Sequence, residues 1–411
     1  MNIFRPAEIL LPKNAELEKW AVIACDQFTS DPDYWRRVRQ YAGDDPSVIH
    51  MILPEAELES HGQASVDAIN DNMVRCLNAG VFQNYPGSYI YVERTLANGM
   101  IRPGLVGMVD LEAYDYRPGS ISPVRATERT VLERIPPRKL VRQDAALEFP
   151  HVLMLCDDDE FRLIEPVRAV KKQLPKLYDF ELMEQGGHIT GWLVSGEAAA
   201  AFDAAFAAYS ETYHQKYADL TGAPVLLAVG DGNHSLATAK SCYEDLKHAN
   251  PAVDYSTHPA RYALVELENI HDPAQNFEPI HRILTDVDLE KLMHDIEAIC
   301  APNGHHVICV YGDNRKDLYL DRKNGELAIA IVQEFLDAWL QENPGKIDYI
   351  HGEDEIARLA AAERAVGFLL PPMEKHSLFR GVIAGGVLPR KTFSMGHARE
   401  KRYYLEGRKI K

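Results

Sequence analysis

No apolar run in this sequence approaches the roughly 20 residues that a membrane-crossing helix needs. Basic residues are scarce: 44 Lys and Arg stand against 61 Asp and Glu, a net charge of −17, with a pI near 5.4. That shortage argues against nucleic acid or an anionic membrane as a general partner, because both require cationic surface. Paired cysteines are missing too. Cys25, Cys76, Cys156, Cys242, Cys300 and Cys309 form no C-x-x-C, and several lie in apolar runs such as HVLMLC and HHVICVY. They predict reduced thiols in a cytoplasmic protein, not a disulfide framework or a zinc site. The N-terminal MNIFRPAEILLPKN is interrupted too soon for a signal peptide. No Walker A loop, complete dinucleotide fingerprint or G-x-S-x-G elbow is present. His305-His306 has no partner at zinc-ligand spacing, so no metal site is assigned.

What is present is an ordinary globular composition, 46% hydrophobic and 26% charged over 411 residues. That length exceeds one usual core and predicts more than one domain. The expected division is a main α/β region over 1–285 and a C-terminal α/β subdomain over 286–411, whose basic tail returns to the site. Strands are predicted at Trp20–Cys25, Ser88–Arg94, Arg102–Leu111, His151–Cys156, Phe161–Ile164, Pro224–Val229, Arg261–Leu267 and Leu378–Leu388. Helices are predicted from Asp31-Pro32, over Glu197–Leu220 with Phe202, Phe206, Tyr209 and Tyr213 on one face, over Asp288–Cys300, and over Leu327–Leu340. The fold class is α/β in the α+β sense, with mixed sheets and flanking helices. Asp157-Asp158-Asp159, between two predicted strands, reads as an exposed turn rather than a magnesium site.

The strongest chemical feature is Ala228–Lys240, AVGDGNHSLATAK. A continuous apolar run of the kind found in a strand buried on both faces, Pro224–Val229, breaks at Gly230-Asp231-Gly232-Asn233. A helical pattern with Leu236, Ala239, Tyr243 and Leu246 follows. A buried strand entering a helix through a two-glycine turn aims free N–H groups and the positive end of a helix dipole at one place, which suits an anion. Asp231, Asn233, His234 and Ser235 add acid–base and hydrogen-bonding groups. The same residues also fit a plain helix start, with Asp231 or Asn233 as the cap and His234 in the core.

Other candidates are scattered along the chain. Arg125, Arg129, Arg134, Arg138 and Arg142 fall within twenty residues, and arginine forks grip phosphate or carboxylate bidentately. Arg125, Thr127 and Glu128 are the site candidates among them. Pro389–Lys411 holds eight basic residues against two Glu in an acidic chain, and Arg390 and Lys391 are candidates to neutralise a phosphoryl group. His351 in YIHGED, at a strand end, is a candidate general base or phosphoryl contact. Glu278 and His281 in FEPIHR, and Asp26 and Gln27 after the first predicted strand, are further polar positions.

WAVIACDQFT at Trp20–Thr29, PVRATERTVLERIPPR at Pro123–Arg138, VGDGNHSLATA at Val229–Ala239, FEPIHR at Phe277–Arg282, YIHGED at Tyr349–Asp354 and PRKTFSMG at Pro389–Gly396 resemble, in order, the bacterial and archaeal family of unknown function numbered ten-fifteen. That family is distantly similar to the ParB/sulfiredoxin-like nucleotide-binding superfamily, including its free-serine kinases, where a glycine loop with His opens a helix on nucleotide phosphates. The resemblance implies a ParB/sulfiredoxin-like core plus elaborations. It matches His234 to the phosphate-contacting histidine and Gly232 to the loop glycine, with Ser235 where arginine is usual. It further implies phosphoryl transfer between ATP or ADP and a small hydroxylated metabolite, serine or phosphoserine first. Gly230, Gly232, Asn233, Ser235, Arg125, Thr127, Arg390 and Lys391 would bind nucleotide or phosphate, and Asp231, His234, Glu128 and His351 would be catalytic. Mg²⁺ is expected without an evident ligand set. The alternatives are phosphoserine hydrolysis in the same pocket and a nucleotide-binding regulator without chemistry.

Overall fold

In the computed structural model the described residues are 3–23, 28, 31–57, 62–149, 152–321, 327–385, 387–389 and 391–411. They form two compact units, Met1–Gln275 with Gly396–Lys411, and Asn276–Met395. The expected cut fell after residue 285. The strand Phe277–Thr285 pairs with the second-unit strands Lys346–His351, Val366–Leu369 and Phe393–Met395, which puts the division at 275/276.

Among the described residues the first unit builds an eleven-stranded mixed sheet. Its path runs Tyr114–Asp115, Val124–Ala126, Leu227–Asp231, Leu153–Cys156, Tyr262–Asn269, Ile101–Asp110, Phe82–Thr95, His188–Val194 and Lys176–Glu181. Val124–Ala126 runs parallel to Leu227–Asp231, with Ala228 opposite Arg125. The aromatic stripe of helix Gly196–Thr212 packs as its spacing demands: Phe202 and Phe206 are buried and stack with centroids 6.1 Å apart. Two apolar clusters lie on opposite faces of the sheet, because successive residues of a strand alternate sides: Ile90, Val106 and Leu264 join one, Tyr89, Leu105 and Val265 the other.

The C-terminal segment is threaded into this unit. Tyr404 and Val22 exchange backbone hydrogen bonds, as do Gly407 and Leu10, and the Trp20 indole donates to the Leu405 carbonyl at 2.8 Å. In the second unit the strands Cys300–Tyr311 and Asn314–Leu320 form a hairpin, and helix Ala328–Glu342 covers them with Val332, Leu336 and Trp339 buried.

Four local readings are overturned. Leu17–Trp20 is a helical turn and Val22 a single bridge, so the described part of Trp20–Cys25 is not a strand; Cys25 lies outside the described residues. Phe161 takes a positive φ of 53°, and Ile164 begins a helix, Ile164–Val170. Ser377–Gly385 is a helix, because Leu378, Phe379, Val382 and Ile383 recur at helical spacing and all four are buried. The aspartate run is not an exposed turn: Asp157 and Asp158 are buried, held by partners that lie far away in the sequence. Among the described residues no helix is long and apolar enough to cross a membrane.

Candidate functional site

The glycine loop forms as its sequence requires. Strand Leu227–Asp231 pairs antiparallel with Leu153–Cys156, and its register slips between Val229 and Asp231, a bulge centred on Gly230 that re-aims the chain. Gly232 then takes the left-handed conformation, φ 83° and ψ 25°, and opens the 17-residue helix Asn233–Ala249. A Cβ there would stand 3.1 Å from the Val152 Cα, so the position needs glycine for both reasons. The N-cap position is Gly232, which has no side chain to cap the helix, so the first turn presents backbone N–H groups beyond the intrahelical ladder. Neither Asp231 nor Asn233 is a cap.

His234 is anchored from a neighbouring segment. Its Nε2 accepts the Val131 N–H at 3.2 Å, which leaves Nδ1 as the proton-bearing nitrogen. Thr130, immediately before, is 7% exposed, and its hydroxyl has no hydrogen-bond partner among the described residues; the same is true of the buried Asn233 Oδ1. Glu128 is half-buried between this contact and strand Val124–Ala126. The arginine helix Ile135–Arg142 packs on the loop helix, with Lys139 bonded to Ser241 at 3.1 Å and paired with Asp245.

Beside the loop helix lies a largely apolar cavity of about 160 Å³. Ser235, Leu236, Arg138, Arg142, Phe149 and Tyr404 are among its walls. A volume of this order is about that of one small aromatic ring. Arg142 is committed to Glu148 at 2.5 Å, and the Arg138 guanidinium donates to the Arg134 carbonyl at 2.6 Å.

Two expected phosphate ligands occupy other positions. Arg125 donates to the carbonyls of Ser122 at 2.8 Å, Ala223 at 2.6 Å and Pro224 at 3.3 Å. Those carbonyls precede the parallel strands 124–126 and 227–231, so the guanidinium sits at their N-terminal end and the glycine loop at their C-terminal end. Burial without an acidic partner also holds the Arg125 pKa below the usual arginine value. The Thr127 side chain is fully buried, and its hydroxyl donates to the Val229 carbonyl at 2.6 Å. Both residues brace the loop strand.

The sequence reading missed the charged residues that the C-terminal segment brings to this sheet. Lys401 Nζ lies 3.3 Å from Asp231 Oδ2, and the Lys401 side chain is 7% exposed. Arg402, its neighbour, pairs with Glu266 at 2.5 Å and with Glu406. Glu268 meets Arg102 at 2.9 Å and accepts from Gln275 at 2.5 Å. Burial pushes the Glu268 carboxyl up, Arg102 opposes this, and Glu266 adds to it. A Cβ on Gly104 would collide with the Glu266 carboxylate, so the sheet is shaped around this network. The available signals were the two Glu alternating within YALVELEN, and the basic excess after Pro389.

The remaining candidates belong to the second unit. Its strand Phe277–Thr285 gathers three of the sequence motifs: Ile280 stands opposite His351, His281 opposite Ile350, and Glu278 opposite Ser394. Arg282 is fully buried, bonded to Gln333 at 3.0 Å and to the carbonyl of Lys391 at 2.9 Å, with its guanidinium 4.7 Å from the Tyr349 ring centre. Lys391 itself takes a positive φ of 56°. Arg390, Asp26 and Gln27 lie outside the described residues. Among the described residues no group of three or more His, Cys, Asp or Glu could hold a metal ion.

No curated protein matches the sequence. Several solved structures are similar at low identity. A free serine kinase in complex with AMP is 10% identical, with 74% of this chain and 91% of that chain covered at a TM-score of 0.38. SbnI with a C-terminal truncation, from Staphylococcus aureus, is 10% identical over 70% of this chain and 81% of its own, at a TM-score of 0.36. A conserved hypothetical protein from Pyrococcus furiosus is 10% identical over 72% and 90%, at 0.34. The family model described as protein of unknown function (DUF1015) matches residues 4–339, most of the length and the whole glycine loop. The chain therefore belongs to the DUF1015 family.

Proposed function

We propose that the protein transfers a phosphoryl group between a nucleotide, ATP or ADP, and a small hydroxylated metabolite, with serine the first to test. The observation that carries this is the left-handed turn at Gly232 that opens the helix Asn233–Ala249 beside a cavity of about 160 Å³. Backbone N–H groups at a helix N-terminus suit phosphate oxygens, and a cavity walled by Leu236 and Phe149 suits a base or sugar. His234 Nδ1–H and the Ser235 hydroxyl would donate to the phosphates, and Arg138 would supply a cation at the cavity wall. Asp231 or Glu128 would orient or deprotonate the acceptor hydroxyl. The described residues form no all-protein cage for Mg²⁺. Mg²⁺ commonly binds through nucleotide phosphates with one or two carboxylates and water, and when bound it would offset phosphate charge.

Phosphorus NMR tests the reading. The protein with Mg²⁺ is followed with ATP or ADP plus serine, then with phosphoserine alone. Nucleotide-dependent phosphoserine formation is the expected result. Free phosphate from phosphoserine alone would indicate hydrolysis instead. No turnover, together with nucleotide-induced thermal stabilisation, would indicate a regulator.

A further inference from the structure

An aspartate beside an anion cradle is an electrostatic contradiction unless something neutralises it. Asp231 ends the loop strand one residue before Gly232, and its carboxylate would repel a phosphate approaching the helix start. The charged groups on the elements around it can be named. Arg125, on the parallel neighbour, is turned to the far end of the strands. Asp157 and Asp158, beyond the antiparallel neighbour, are also at that far end, since Asp231 faces Leu153. Glu128 and Arg129 follow the parallel strand, and His234 holds the Val131 N–H. Lys401 and Arg402 come from the C-terminal segment, and Arg402 is occupied by Glu266 and Glu406. Among the described residues, Lys401 is the cation whose ammonium meets Asp231.

Its placement is enforced. Arg94 donates to the Lys401 carbonyl at 3.2 Å and to the Arg399 carbonyl at 2.6 Å, and its guanidinium lies 4.8 Å from the Tyr403 ring centre. The Tyr403 hydroxyl donates to the Met183 carbonyl at 2.7 Å. A buried ammonium is thus fixed on both sides by its own backbone. The buried Thr130 hydroxyl, a donor with no partner among the described residues and next to the Val131 that holds His234, independently points to an acceptor ligand at this loop.

We propose that Lys401 is the counter-ion that lets an anionic ligand sit beside Asp231, so that Gly396–Lys411 completes the site although it lies beyond the residues matched by the family model. Lys401 is a positioning residue, acting through Asp231. The inference rests on the proposal that the loop holds a nucleotide phosphate.

Calorimetric titration of the full-length protein with ADP, and separately with inorganic pyrophosphate, tests it. Lys401→Met should weaken both ligands about tenfold or more, because the Asp231 charge is uncovered. Lys401→Arg should bind nearly as wild type. Asp231→Asn should bind more tightly than wild type, and Asp231→Asn/Lys401→Met should recover most of the loss. Lys409→Met, an exposed cation of the same segment, should change nothing. The inference is overturned if Lys401→Met binds as wild type, or if the double variant binds as weakly as Lys401→Met. Should Lys401→Met fail to fold by circular dichroism, Asp231→Asn decides: weaker binding than wild type overturns the inference. If the wild type binds neither ligand, the loop proposal itself fails, which is a different result from wild-type binding that ignores Lys401.

Discussion

The sheet of the first unit carries two charged regions, and adjacent residues of the C-terminal segment reach both. Around Arg402 every charge is enclosed by opposite charges: Glu266 and Glu406 take its guanidinium, and Glu268 faces Arg102. Around Lys401 the pairing is looser, 3.3 Å to a half-buried Asp231, in a unit that also carries the glycine turn at Gly232 and a cavity at Ser235 and Leu236. Closed networks hold a fold together, whereas open polar groups around a cavity have something left to bind. The difference separates what braces the sheet from what can meet a ligand.

The comparison breaks most readily at its closed side. Arg402→Met removes the cation shared by two buried carboxylates and should cost ~3–5 kcal/mol in urea unfolding. A loss under 1 kcal/mol would mean that the network is not closed. Asp157 is a second closed centre. Burial alone would raise its carboxyl, but hydrogen bonds from His271, Lys216 and Tyr217 hold it down to about 2. Its folded pKa lies below the unfolded value, so its contribution is present above pH ~4 and lost as pH falls towards 2. Asp157→Asn should therefore cost about 2 kcal/mol at neutral pH, with the difference from wild type shrinking below pH 4.

Smaller effects sharpen the open side. Arg125→Met should lower stability by ~1–3 kcal/mol while ADP affinity stays within about twofold, because its partners are backbone carbonyls at the far strand end. Gly232→Ala should cost ~1–2 kcal/mol from the positive φ, and ADP affinity should also fall about tenfold, which calorimetry and melting curves separate. Thr127→Val should cost about 1 kcal/mol by loss of the bond to the Val229 carbonyl, with little change in binding.

Much of the fold was legible in local pattern. Pro224–Val229 with Gly230 and Gly232 announced a buried strand turning into a helix, and the phenylalanines of 196–212 announced a packed face, because both signals lie within a few residues of one another. Leu378–Leu388 misled because three glycines and β-branched residues mimic a strand, while tertiary packing selected the helix. The site was only half legible. The glycine loop declares itself, but a partner such as Lys401 is brought to Asp231 by a chain that leaves the unit at Gln275 and returns at Gly396. Arg125 misled for the converse reason: its position beside the loop strand is visible in the sequence, but the direction of its side chain is not.

The central claim is that Gly232–Ser235 holds a nucleotide phosphate, and a calorimetric titration of ADP into wild type and His234→Ala tests it most directly. One ADP should bind per wild-type chain, and His234→Ala should lose at least tenfold in affinity while keeping the wild-type circular dichroism spectrum, its melting point lowered only by the lost bond to Val131. Equal ADP affinity in the two proteins would contradict it.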